Sequence, residues 1–245
     1  MSAATLKYSK CPKCGHAAAA GTTLETECPA CGVLFRKLFA GSGLAATHEP
    51  SEREESRLAR LLEIPQQHRR IRAIAAAALL PVAAWYAWQF LRFDIADPAS
   101  MPAGFLYGAM VPFHEVGHML FRPFGDFLHN AGGSLAQFLM PLAFGVYFVH
   151  WRGDNLAGWL MLWWEGSQWV YLAPYCYDAK KPQMILLTAR TGDTGAHDYV
   201  DMLGDLGLLN RAHEVAALMK YFGVLLMVLA LVWGALLVAR TWRER

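Results

Sequence analysis

Residues 103–121 read AGFLYGAMVPFHEVGHMLF, nineteen residues with one formal charge, Glu115, in an otherwise apolar run. A helix needs roughly 20 such residues to cross the hydrocarbon core of a bilayer. Four more runs of this kind, 73–91, 133–151, 156–176 and 221–239, lie to either side of it. Together the five hold 97 residues and only two of the 42 charges, Glu115 and Glu165, where an even spread over 245 residues would put about sixteen. The chain is 55% hydrophobic and 17% charged, against roughly 25% charged in soluble domains. That segregation excludes a wholly soluble enzyme, and an aromatic content of 13% excludes disorder. The expected fold is an all-α polytopic membrane protein with about five transmembrane helices, multi-pass in the lipid bilayer.

The N-terminus has a different character. Cys11-Pro12-Lys13-Cys14-Gly15 and Cys28-Pro29-Ala30-Cys31-Gly32 are two C-x-x-C knuckles separated by 13 residues. Each knuckle can turn two thiolates toward one ion, and four thiolates close a tetrahedral site, the structural kind of zinc site. Two disulfides are the alternative, but repeated C-x-x-C spacing fits metal geometry better. Residues 1–40 are therefore read as a small zinc ribbon with one structural Zn2+, placed in a reducing compartment. About thirty residues bury too little surface to fold without such a staple. A cytoplasmic protein partner is expected for the ribbon rather than nucleic acid. Residues 41–70 read as a linker and a short surface helix opened by Ser51 and ended by Pro65, and 71–245 as the membrane domain.

Arg69, Arg70 and Arg72 precede the first span and argue for a cytoplasmic N-terminus. The long 177–220 segment, with Lys180, Lys181, Arg190, Arg211 and Lys220, then belongs on that same side. Five spans would leave the basic tail, Arg240, Arg243 and Arg245, on the other side, against the same rule.

Within the second span stands His114-Glu115-Val116-Gly117-His118. On a helix, positions i and i+4 share a face, so both imidazoles can reach one zinc while Glu115 reaches the water activated there. Three ionisable groups at membrane depth are costly unless paired or bound to metal. This arrangement resembles the site-2 protease family of intramembrane zinc metalloproteases, over residues 103–215. The resemblance implies that His114 and His118 are ligands, that Glu115 is the base, and that a later segment supplies a third ligand. It also implies that Ala131-Gly132-Gly133-Ser134 is a Gly-rich element lying along the cleft.

The family's Leu-Asp-Gly motif for the third ligand is absent. The candidates in this chain are Asp178, Asp193, His197, Asp198, Asp201 and Asp205, led by His197 and Asp198 at the start of a short helix. If His197 binds the metal, Asp198 or Asp193 can orient its ring. The function expected is zinc-dependent hydrolysis of a peptide bond in a membrane-anchored protein near the cytoplasmic face. The alternative is a non-catalytic metal-binding membrane adaptor that recruits a partner through its ribbon.

Overall fold

The computed structural model describes residues 8–19, 23–24, 27–33, 60–63, 68–102, 105–185, 191 and 197–243. The chain divides into two compact units, Met1–Leu58 and Ala59–Arg245. The linker at 40–50 and the helix start at Ser51 lie outside the described residues. In the first unit two antiparallel bridges, Tyr8 with Leu24 and Lys10 with Ala17, tie the knuckles together. Tyr8, Leu24 and Val33 pack around the buried Cys11 and Cys28. Gly15 (φ +74°) and Gly32 (φ +63°) take the left-handed turn that ends each knuckle.

The second unit is helical, with six helices among the described residues. These are α1 (Arg69–Arg92), α2 (Phe105–Phe121), α3 (Asp126–Val146), α4 (Asn155–Asp178), α5 (Asp198–Asp205) and α6 (Ala212–Arg243). Among the described residues three segments are long and apolar enough to cross a membrane: Arg69–Arg92, Asp126–Trp151 and Leu209–Arg243. That is fewer than the five runs suggested, for two physical reasons. Helix α2 has only 17 residues. Helix α4 has 24, but most of them are buried, including Asn155, Glu165, Ser167 and Gln168. A helix covered by protein need not have the composition of one that faces lipid.

Small residues set the closest approaches. A Cβ on Gly166 or on Gly223 would strike the other's carbonyl, so α4 and α6 touch backbone to backbone. Helices α2 and α3 cross in the same way at Gly117 and Gly132. The expected Gly-rich cleft element, Ala131–Ser134, is therefore different in the structure. Its residues are helical and buried within α3, and its glycines seat α2 rather than offer an extended edge.

Polar contacts identify the two ends of the bundle. At one end Arg72 Nη1 meets Asp154 Oδ2 at 2.8 Å. There the Asn155 amide donates to the Arg60 and Glu63 carbonyls at 2.7 Å, and Trp233 Nε1 donates to the Leu61 carbonyl at 2.8 Å. The beginnings of α1 and α4 and the later part of α6 thus lie together. At the other end the buried Lys220 donates to the Phe93 carbonyl at 2.7 Å, and Tyr177 stacks on His213 at 3.8 Å. The end of α1, the end of α4 and the start of α6 meet there. The described residues of the 179–211 segment consequently lie at the opposite end of the bundle from Arg69–Arg72, contrary to the side assigned from the loop charges. The tail arginines Arg240 and Arg243 lie at the Arg69–Arg72 end.

Candidate metal centres

The ribbon cysteines are free thiols. Sγ of Cys11 lies 3.8 Å from that of Cys31, and Sγ of Cys14 lies 3.7 Å from that of Cys28. A disulfide needs about 2.05 Å. Four sulfurs held about 2.3 Å from one ion sit about 3.8 Å apart in a tetrahedron. All four donor atoms lie within 4.8 Å of one another, so the group fits an ion and is complete without further ligands.

The second group draws on two helices, α2 and α5. His114 and His118, one turn apart on α2, direct their rings toward α3 and α5. Nε2 of His114 is 3.1 Å, and Nε2 of His118 3.3 Å, from the same oxygen, Oδ2 of Asp198. Ligands 2.0–2.1 Å from an ion lie about 3.3 Å apart in a tetrahedron. His114, His118 and Asp198 form the whole of this group among the described residues.

The surrounding hydrogen bonds fix which ring nitrogens face the centre. Nδ1 of His114 donates to Gln137 Oε1 at 2.7 Å. The Gln137 amide nitrogen in turn donates to Gln168 Oε1 at 3.3 Å, which sets the orientation of the amide. Nδ1 of His118 donates to the His129 carbonyl at 2.8 Å, and Nδ1 of His129 returns the bond to the His118 carbonyl at 2.8 Å. With a proton on each Nδ1, both Nε2 lone pairs face a carboxylate oxygen. In that tautomer three acceptors converge, a set able to hold a cation. This is the outer-shell pattern of metal-binding histidines. A Cβ on Gly133 would run into the His114 ring, so that glycine makes the room in which the ring sits.

Asp198 enters from the first turn of α5. Its backbone N–H donates to the Tyr175 hydroxyl at 3.1 Å. His197 takes a different place. Its ring is almost fully buried (2% exposed) and lies against Tyr175 at 4.3 Å between centroids. Nδ1 accepts the Val200 N–H at 3.4 Å and caps α5. Nε2 is 3.4 Å from Asp178 Oδ2, without hydrogen-bond geometry. Burial lowers the pKa of this imidazole despite Asp178 and Asp198. His197 and Asp178 therefore brace the residue next to Asp198 rather than join the group.

Of the other candidates, Asp201 accepts from the Asn130 amide at 3.2 Å, Asp205 is exposed at the end of α5, and Asp193 lies outside the described residues. Glu115 is exposed on α2 between the two ligand turns. Glu165 is buried in α4 and accepts from Trp169 Nε1 at 2.9 Å.

Gln137 and Tyr175 stand outside every motif of the sequence, and His129 reads there as a wetted residue near an interface rather than a ligand. Gln137 carried a usable signal, since an amide inside the apolar run 133–151 needs a partner. The His129 carbonyl carried none. Compared with protein-family models, with curated proteins and with solved structures, the chain matches none of them.

Proposed function

We propose that the membrane unit is a zinc-dependent peptidase of the site-2 kind, acting on a membrane-anchored protein, and that the ribbon holds a second, structural zinc. One observation carries the reading. The cysteine group closes on itself with four protein donors, whereas the His114/His118/Asp198 group has three among the described residues, with Glu115 exposed on the same helix next to His114. Three protein donors and an open position are the mark of a catalytic zinc site. Thiolates, imidazoles and a single carboxylate all suit zinc.

Zinc held there supplies Lewis acidity, which polarises a carbonyl and makes water more acidic. The protein's own residues do the rest. Gln137 and the His129 carbonyl keep His114 and His118 in the tautomers whose Nε2 faces inward. Asp198, fixed through Tyr175, adds the negative charge that completes the set. Glu115 accepts a proton from the attacking water and returns it to the leaving amine, a role typically worth ~10²–10⁴-fold. Met119 (75% exposed), Val116 (57%) and Leu120 (63%) face outward on the same helix, so an apolar substrate segment can approach from the lipid side.

The test is cleavage of a membrane-anchored reporter by the full chain in proteoliposomes. Cleavage should stop on chelation and return with zinc. Cleavage that persists with both metals removed would contradict the reading.

A further inference from the structure

The contacts at the two ends of the bundle determine from which side the metal centre is reached. Helix α1 starts at the arginine end, beside Asp154, and finishes at the far end, beside Lys220. Helix α3 finishes beside the start of α4, where a Cβ on Gly158 would meet Val149 and the Asp154 N–H donates to the Phe148 carbonyl at 2.8 Å. Phe138 stacks on Trp169 at 4.1 Å, so α3 runs antiparallel to α4 and begins at the far end. The end of α1 and the start of α3 therefore share one face. The chain between them, which includes all of α2, has to enter and leave by that face.

Helices α1, α3, α4 and α6 then account for four crossings, with the start of α1 and the end of α6 both at the arginine end. The centre also lies toward the far face. Gln168, behind His114, is ten residues from the C-terminal end of α4 and thirteen from its N-terminal end, or about 15 Å against 20 Å. Tyr175, which touches Asp198, is three residues from that C-terminal end. Helix α5, which brings Asp198, belongs to the far-end segment.

Charge gives the sidedness. Arg69, Arg70, Arg72, Arg152, Arg240 and Arg243 directly flank the spans at one end. Arg60 joins them, against Arg92, Arg122, Lys180, Lys181 and Arg211 at the other end, where Lys220 is buried. The positive-inside rule puts the arginine end in the cytoplasm. Four crossings also remove the conflict that five spans made with the basic tail.

We propose that α2 is a re-entrant helix and that the metal centre opens toward the non-cytoplasmic face. Its substrates are then membrane-anchored proteins that present the scissile segment from that side. The substrate class rests on the peptidase reading; the sidedness does not.

The test is tagging of single introduced cysteines with a membrane-impermeant maleimide in intact expressing cells, using the full chain. The unaltered protein supplies the background from its own five cysteines. Ala99→Cys, Arg122→Cys and Asp205→Cys should each gain one tag from outside. Arg152→Cys should gain a tag only after permeabilisation. Outside tagging of Arg152→Cys with Asp205→Cys protected would overturn the sidedness. Tagging of Ala99→Cys and Arg122→Cys from opposite faces would make α2 a full span and overturn the re-entrant helix. The tags need no turnover, so failure of the peptidase reading and failure of this proposal are told apart.

Discussion

The two metal groups of this chain are built in opposite ways. The ribbon gathers four sulfurs from two knuckles within 21 residues, and each knuckle ends on a left-handed glycine. The membrane group takes two imidazoles from one turn of α2 and its carboxylate from 80 residues further along the chain. The first is closed and held by local backbone geometry. The second is held by helix packing and has three protein donors among the described residues. Local construction suits a staple that replaces a missing core. Assembly from distant elements leaves a free position on a rigid frame, which chemistry requires.

Removing ligands should separate the two groups most sharply. Metal analysis of the intact chain should give two ions, and His114→Ala, His118→Ala or Asp198→Ala should each leave one. Replacing Cys28 and Cys31 by Ser should also leave one, but the other one. A single ligand change that cost both ions would break the picture of independent centres.

Changes around the membrane group should be smaller. Gln137→Leu removes the acceptor that orients His114 and should weaken metal affinity ~10–100-fold, measured by competition with a chelator. His197→Ala should fall in the same range, because the residue braces α5; complete loss of the ion would instead make it a ligand. Gly133→Ala intrudes on the His114 ring and should cost about 1–3 kcal/mol, read from denaturation. Asn155→Ala, remote from both centres, removes the bonds to the Arg60 and Glu63 carbonyls. It should cost about 1 kcal/mol and leave both ions bound.

The same contrast explains what could be read from the sequence. The cysteine knuckles and His114-Glu115-Val116-Gly117-His118 could be recognised because their spacing is their geometry. The helix start at His197-Asp198 narrowed six candidates to a leading pair; the crossing of α2, α3 and α5 separates the two. Gly132 and Gly133 suggested a turn, yet between two apolar helices a glycine pair also marks a close crossing, and in this chain it is helical. The run 103–121 has the length and composition of a span. Only the partners of Phe93, Val149 and Gly158 show that the chain enters and leaves its neighbourhood at one end. Helix α4 was counted among the spans, and its polar residues were paired inward, where sequence composition gives no direction.

The most direct test of the central claim is Glu115→Gln in the full chain, with metal content and cleavage of the membrane-anchored reporter measured on the same preparation. The substitution keeps the size of the side chain and removes its proton acceptor. Two ions should remain bound while cleavage falls ~10²–10⁴-fold. Two ions bound with cleavage unchanged would contradict the account and leave His114, His118 and Asp198 as a structural metal site in a membrane adaptor.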